Sequence, residues 1–377
     1  METRKQIAIS GYYGYGNLGD EAILEAMVKG LIDRFGDERI RLVVLSDDPE
    51  ETEKAHGVSA IDRWSPTKIF RTLRHSDLLI SGGGGLFQDR TSSFSLWYYL
   101  AIIWLARLLR TPVYIIGQGI GPIKHWFNDL FFRWTVNQAN GALVRDPASY
   151  ELLEETNLNS TNIRAGADLA FLLPEGESGE TDFFEDERPT IVAAALRDDI
   201  RGKMDVVRAV SSGLDLLHKK FGVTVVLFST NPIADKQINH DLRAATDTDC
   251  NVIDVPHLTP RQLVEMMKGI DLIIGGRLHA VIFSLLSGTP VQGISYDPKM
   301  DHLIHEINES VESATIPLWH PDELINARDY LANLEDTYEN KDSQRAGLEK
   351  VRKELELEAR EGLETALSWI HAELEHE

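Results

Sequence analysis

The chain is 377 residues long, more than one ordinary hydrophobic core accommodates, and 43% hydrophobic with 26% charged residues is the composition of a soluble α/β protein of two domains. Asp and Glu number 60 against 38 Lys and Arg, a net charge of −22 that repels nucleic-acid phosphates but leaves room for a small anionic ligand in a local pocket. The single cysteine, Cys250, excludes an intrachain disulfide and a multi-cysteine metal site, and fits a reducing compartment.

The first ten residues, METRKQIAIS, enter a strand (Gln6 to Ser10) without the apolar stretch of a signal peptide. The strand leads into a glycine-bearing turn and a helix from Ala22 to about Phe35. Gly14, Gly16 and Gly19 match G-x-G-x-x-G, but Asp20 and Glu21 stand where a pyrophosphate would rest and would repel it. Two readings stay open: a tight turn with Asn17 or Asp20 capping the helix, or a glycine floor on which a non-dinucleotide substrate meets Asn17, Asp20 and Glu21. Arg41 to Ser46 reads as a strand, Lys68 to His75 as a helix and Asp77 to Ile80 as a buried strand. Ser81 to Gly85 is then a strand-to-helix junction whose glycines, Gly83 and Gly84 among them, serve either ligand approach or close helix–sheet packing. Asp89 follows, then an aromatic-rich helix through Trp97 and Trp104. Its apolar run, Phe94 to Ala106, is too short to span a bilayer and reads as a buried or interfacial helix. Thr111 to Gly117 is a strand with an exit loop over Gln118 to Pro122. Ala142 to Val144 is a strand ending at Arg145, with Asp146 and Pro147 starting a helix. Arg145 either pairs with Asp146 or faces a ligand. Asn162 to Ala165 is a strand with Asp168 just past it.

Glu175 to Arg188 is acidic and glycine-bearing, and reads as a linker. A second α/β unit follows: strand Thr190 to Ala195, exiting at Arg197-Asp198-Asp199; helix Val206 to Lys219; strands Val223 to Ser229 and Asn251 to Val255; helix Pro260 to Lys268. Leu272 to Ile274 is a buried strand that breaks at Gly275-Gly276 and delivers Arg277 and His279 to the start of a helix closed by Gly288. Thr289-Pro290-Val291 opens the next strand, whose exit carries Tyr296, Asp297 and Lys299. Each charge has a plain reading on its own: Arg277 pairs with a carboxylate, His279 is a core histidine, Lys299 is a solvated loop charge. Their coincidence at adjacent strand exits favours an anion site at the rim where such sheets bind ligands. Beyond Pro317 apolar residues recur at helical spacing through Leu374, giving an amphipathic tail that packs back on a domain or, less readily, pairs two copies.

The halves echo each other. Helix, Asp77-Leu78-Leu79-Ile80-Ser81-Gly82-Gly83, helix and Thr111-Pro112-Val113 in the first match helix, Asp271-Leu272-Ile273-Ile274-Gly275-Gly276, helix and Thr289-Pro290-Val291 in the second. The expected fold is therefore two Rossmann-like domains facing across a cleft, glycosyltransferase-B-like, with a C-terminal amphipathic helix. The expected divisions are residues 1–174 for the N-terminal domain (acceptor side), 175–188 for the linker, 189–320 for the C-terminal domain (donor side) and 321–377 for the helical tail.

The motifs GYYGYGNLGDEAIL, SGGGGLFQD, VRDPAS, GGRLHAVIFSLLSGTPV and YDPK resemble the polysaccharide pyruvyl transferase family over roughly residues 6 to 305, most closely the members acting on the secondary cell wall polymer of Gram-positive bacteria. The RLHA segment, with a lysine 20 positions after its histidine (299 − 279), is the specific part. The resemblance implies phosphoenolpyruvate as donor, a lipid-linked oligosaccharide acceptor with two suitable hydroxyls, a cyclic pyruvate ketal, and a cytoplasmic enzyme making peripheral contact with the inner face of the membrane. It also implies that Arg145, His279 and Lys299 match the family's donor-binding and catalytic positions. Phosphoenolpyruvate carries a carboxylate and a phosphate, so several cations are needed. Arg277, Lys299 and Gly276 are assigned to the donor, His279 to the acid and Arg145 to the carboxylate or to charge stabilisation. On the acceptor side stand Gly14, Gly16, Asn17, Asp20, Gly83, Gly84, Asp89 and Asp168, with Asp20, Asp89 and Asp168 as candidate bases. No metal or cofactor is expected. The rivals are a sugar-nucleotide-dependent glycosyltransferase, in which Glu306 would hold the ribose, and an inactive glycan- or anion-binding protein.

Overall fold

A computed structural model describes residues 4–90, 92–156, 162–176, 190–200, 202–252, 258–310 and 315–375. The chain forms two compact units, Met1–Pro174 with Leu355–Glu377, and Glu175–Glu354. Apart from Glu175 and Gly176, the expected linker lies outside the described residues, as does the end of the strand expected over Asn251 to Val255.

The first unit begins with β1 (Lys5–Tyr13), α1 (Leu18–Phe35), β2 (Ile40–Ser46), α2 (Pro49–His56), β3 (Ser59–Asp62), α3 (Pro66–Arg74), β4 (Leu78–Ser81) and β5 (Gly84–Phe87). It continues through α4 (Ser93–Leu108), β6 (Val113–Ile120), α5 (Trp126–Val136), β7 (Gly141–Val144), α6 (Pro147–Glu154) and β8 (Ile163–Ala165). Its sheet runs β3-β2-β1-β4-β6-β7-β8, with β5 paired to β6, and the pairings are parallel. Two expectations change. Helix α1 starts at Leu18, so Gly19 is helical rather than part of the turn. The glycine run is not a strand-to-helix junction, because β5 intervenes and the helix begins only at Ser93, where the Ser92 side chain accepts the Phe94 N–H at 3.2 Å.

The second unit runs β9 (Ile191–Ala195), α7 (Lys203–Phe221), β10 (Thr224–Leu227), α8 (Lys236–Ala245), β11 (Cys250–Val252), α9 (Pro260–Met267), β12 (Leu272–Gly275) and α10 (Leu278–Ser287). Then come β13 (Val291–Ile294), α11 (Pro298–Ser310), β14 (Leu318–Trp319), α12 (Arg328–Glu339) and α13 (Lys341–Glu375). Its parallel sheet has the order β11-β10-β9-β12-β13-β14. The central strands β12 and β13 are buried throughout, which is why they read as apolar runs rather than alternating ones.

The echo has a local chemical basis. In the first unit the Asp77 carboxylate accepts the Gln6 N–H of β1 at 2.7 Å; in the second, Asp271 accepts the Ile191 N–H of β9 at 2.8 Å. Thr111 donates its hydroxyl to Leu73 in α3 at 2.9 Å, and Thr289 donates to Met267 in α9 at 2.6 Å. The peptide oxygens of Pro112 and Pro290 accept from Leu79 and Ile273, both at 2.9 Å. Thus Asp and Thr-Pro do the same work in each half: they tie the strand beside the sheet's first strand to its neighbours and to the preceding helix.

Candidate functional site

In a parallel sheet of this order, ligands bind at the carboxyl ends of the strands where the order reverses, here between β9 and β12. Ala195 of β9 pairs with Gly275 of β12, so both exits lie side by side, and each releases an arginine. Gly276 permits this approach: a Cβ there would stand 3.1 Å from Leu196 Cα. Strand β13, next to β12, releases Tyr296 and, in the first turn of α11, Lys299. His279 occupies the first turn of α10, half-buried, its ring 6.1 Å from that of Phe283.

Both arginines are held by carboxylates. Arg277 donates Nε to Asp235 at 2.5 Å and Nη2 to the other carboxylate oxygen. Asp235 is fully buried and also accepts the Ser229 hydroxyl at 2.6 Å and the Asp198 N–H at 3.2 Å. Such a carboxylate is tolerable in the interior only with this many donors. Arg197 grips Asp199 through Nε at 2.5 Å and Nη2 at 2.7 Å, and its guanidinium lies 4.9 Å from the centre of the Tyr296 ring. The Tyr296 hydroxyl donates to Asp199 at 2.9 Å. Burial pushes the Asp199 carboxyl up, but Arg197, Tyr296 and the charge of Arg277 outweigh it and hold the group below its usual range. Arg197 and Arg277 are matched by Asp199 and Asp235, and Asp297 accepts the backbone N–H of Lys299 at 3.2 Å, so the attraction for an anion falls to the exposed edges of the guanidinium groups, the Lys299 ammonium and the N–H groups opening α10.

The first unit gathers a different set. Arg145, just past β7, is buried; its Nη1 donates to Asp168 at 2.9 Å and its Nε lies 3.6 Å from Asp146. Burial alone would lower its pKa, but Asp168, Asp146 and Asp20 outweigh that and raise it. The guanidinium lies over Gly119, where a Cβ would stand 2.4 Å from Nε. Asn17 donates to Asp20, and Asp20 fills the space a Cβ on Gly84 would need; at Gly83 that space belongs to Ile23. Gly84 also has φ +102°, which favours glycine on backbone grounds. Glu21 accepts the Gly14 N–H at 2.9 Å and stands 3.0 Å from His56 Nε2, so it closes the loop that Gly14 and exposed Gly16 form. Asp89 accepts from the N–H groups of Lys124 and His125 and from the Asn128 amide, at 2.8, 3.0 and 2.9 Å.

The structure therefore brings Gly276, Arg277, His279 and Lys299 to one sheet edge, and Arg145, Asp168 and Asp20 to another, while Asp89 secures the start of α5. Sequence reasoning noted Arg197-Asp198-Asp199 at the exit of β9 without assigning them a role, and passed over Asp235. The Arg-Asp-Asp run straight after β9 was a usable signal, whereas the Asp235–Arg277 pair spans 42 positions and left none. It also passed over Arg63, buried in the first unit, which donates to Gly11 O at 2.8 Å and Tyr99 Oη at 3.0 Å and lies 4.5 Å from the Tyr98 ring centre.

A family model described as polysaccharide pyruvyl transferase matches residues 17–298. The chain is 24% identical over 256 residues to the amylovoran biosynthesis protein AmsJ of Erwinia amylovora; the match covers 60% of this chain and 58% of that protein, less than two thirds of its length. Among solved structures, HepE of Anabaena in complex with UDP-glucose superposes with a TM-score of 0.60 at 13% identity, covering 96% of this chain and 99% of that one. A UDP-GlcNAc 2-epimerase of Neisseria meningitidis, bound to UDP-GlcNAc, gives 0.57 at 14% identity, covering 90% and 94%. At such identities the likeness speaks for the fold alone, and the fold is glycosyltransferase-B-like.

Proposed function

The chain belongs to the polysaccharide pyruvyl transferase family, and from that premise we propose that it transfers pyruvate from phosphoenolpyruvate to an N-acetylhexosamine of a lipid-linked cell-wall polysaccharide precursor, forming a cyclic ketal and releasing phosphate. The acceptor's lipid carrier puts this work in the cytoplasm, at the inner face of the membrane. The observation that carries the reading is the gathering of Arg277, His279 and Lys299 at the neighbouring exits of β12 and β13.

In this reading Lys299, the outer edge of Arg277 and the backbone beside Gly276 hold the donor phosphate, with the N–H groups of α10 adding to the field. Arg197, stacked on Tyr296, adds a further cation at the same edge. One sugar hydroxyl bonds to C2 of the enol while His279 delivers a proton to C3, and the hydroxyl proton passes to a base. The C2–O bond to phosphate then breaks, leaving an oxocarbenium-like centre. The second hydroxyl bonds to C2 and loses its proton, closing the ketal ring. Arg145 is the proposed catalytic residue of the first unit, kept charged and oriented by Asp168; Gly14, Gly16, Asn17, Asp20, Gly83, Gly84, Asp89 and Asp168 remain the proposed acceptor-side set. Among the candidate bases, Asp168 bonds Arg145, Asp89 takes three donors and Asp20 takes the Asn17 amide, so each is substituted in turn.

The test is phosphate release from phosphoenolpyruvate with and without a panel of lipid-linked and aryl-linked hexosamine disaccharides. Acceptor-dependent release with a mass gain matching a pyruvate ketal is expected. No release with any acceptor, together with binding of a sugar nucleotide, would replace this reading with glycosyl transfer.

A further inference from the structure

Helix α4 is apolar on both sides. Leu96, Tyr99, Leu100 and Ile103 enter the core, yet the outward stripe also consists of Phe94, Trp97, Ala101, Trp104 and Leu108. Its neighbour α5 turns Trp126, Phe127, Leu130 and Trp134 to solvent. Exposure reaches 78% at Trp126 and 77% at Leu108, so these are not grazing contacts with water. The two stripes are contiguous: Trp104 stacks on Trp134 at 3.8 Å, and Trp97 meets Phe127 at 6.2 Å. Isolated exposed apolar residues need no explanation, but a continuous aromatic face on two packed helices does. The indole N–H groups of Trp97 and Trp104 donate inward, to Asn128 at 2.8 Å and Thr135 at 2.9 Å, so what faces outward is ring hydrocarbon with its polar edge already satisfied.

The charge of this region identifies the occupant. Between Ser92 and Val136 stand Arg107, Arg110, Lys124 and Arg133 against Asp129; Arg133 is tied to Asp129 at 2.7 Å and to Glu155 at 3.4 Å, so with Glu155 counted the balance is 4 − 2 = +2, carried by Arg107, Arg110 and Lys124, in a chain whose net charge is −22. Lys124 lies two positions before Trp126, the aromatic start of α5, and Arg110 two positions past the end of α4. We propose that the α4–α5 face seats in the interfacial zone of an anionic lipid bilayer, with its rings among the headgroups and its cations against lipid phosphates. A second copy of this chain would set the same cations against each other, whereas an anionic surface complements them. Helix α4 has 16 residues, and among the described residues no helix is long and apolar enough to cross a membrane, so the helices lie in the plane. The inference stands on this surface and needs no substrate, so its failure would leave the transferase reading untouched.

The full-length protein is sedimented with vesicles of phosphatidylcholine alone and of equal parts phosphatidylcholine and phosphatidylglycerol. Binding to the mixed vesicles is expected, with the triple variant Leu108→Glu/Trp126→Glu/Leu130→Glu binding roughly a hundredfold more weakly and Arg110→Glu/Lys124→Glu about tenfold more weakly. Brominated phosphatidylcholine mixed into the vesicles should quench the parent's tryptophan fluorescence, a readout that holds even where the triple variant fails to fold. Absent quenching, or a folded triple variant that binds like the parent, overturns the proposal. So does a parent that ignores lipid but forms a dimer in light scattering that the triple variant abolishes.

Discussion

The Asp235–Arg277 pair sets how the donor side must be tested. Asp235 is fully buried, and Arg277 gives it Nε and Nη2, so whatever Arg277 offers a ligand is oriented by that carboxylate. Asp235→Asn keeps the shape but removes the charge; breaking such a pair costs about 3 kcal/mol. The variant should melt earlier and also need more phosphoenolpyruvate for half-saturation. A stability loss with unchanged donor dependence would restrict Arg277 to a structural role. His279 and Lys299 separate along another axis. His279→Ala should abolish turnover with the melting temperature preserved, because proton delivery acts in the transition state; near-normal rates would remove it as the acid. Lys299→Ala should chiefly raise the half-saturating donor concentration, and a donor titration identical to wild type would sink its assignment to phosphate. Arg145→Lys tests geometry against charge. Its partner Asp168 is met through one guanidinium nitrogen at 2.9 Å while another lies 3.6 Å from Asp146, a spread that an ammonium cannot reproduce. Turnover should stay low; full activity in the lysine variant would show that a point charge is enough.

At the scale of elements, Asp89 decides how α5 begins. Burial pushes its carboxyl up, but the Lys124 N–H, the Asn128 amide and the His125 N–H outweigh it and depress the pKa. A depressed folded-state value means the stabilisation is complete above the ordinary carboxylate range and fades as pH falls through the folded pKa. Asp89→Asn should therefore be less stable than wild type in urea at neutral pH, with the gap closing as the buffer is taken below about pH 4. A gap independent of pH would mean that shape, not charge, matters there. The same region shows what a sequence conceals. β1, β2, β4, β9, β12 and β13 were legible because central parallel strands are continuous apolar runs. The charged helix α2 and the half-buried edge strand β3 have no such run, and α5 carries aromatics on both its buried and exposed faces, so it lacks a polar side to mark its period. β5 was hidden because Gly84 and Gly85 look like a turn. The residue set at β12 and β13 was readable from Gly-Gly-Arg-x-His and the downstream lysine. The carboxylate partner of Arg277 was not, since Asp235 reaches it only through the order of the strands.

At the scale of the whole molecule, α13 is one continuous helix divided between the units: residues up to Glu354 belong to the second and those from Leu355 to the first. The amphipathic repeat pointed to a helix that packs back on one domain or, less readily, pairs two copies; its contacts instead divide between the two units. In the second unit, helical Gln344 donates to Val291 O of β13 at 3.2 Å and accepts the Val291 N–H at 3.0 Å. In the first, Leu363 presses on Gly30 of α1, where a Cβ would come within 2.7 Å of it, and Glu373 accepts the Tyr114 hydroxyl at 3.1 Å. Ending the chain at Glu354 would strip the first unit of the buried side chains of Leu355, Ala359, Leu363, Ala366, Leu367 and Ile370. A single buried leucine is worth roughly 2–5 kcal/mol, and a domain's whole stability only about 5–15 kcal/mol, so the loss should be severe. Tryptophan fluorescence reads it selectively, because Trp64, Trp97, Trp104, Trp126 and Trp134 lie in the part of the first unit that remains and only Trp319 in the second. The urea midpoint reported by tryptophan should fall steeply in the truncated chain at every protein concentration. An unchanged midpoint would mean that the helix contributes nothing to the first unit, and a midpoint in the full chain that climbs with concentration would assign it instead to pairing two copies.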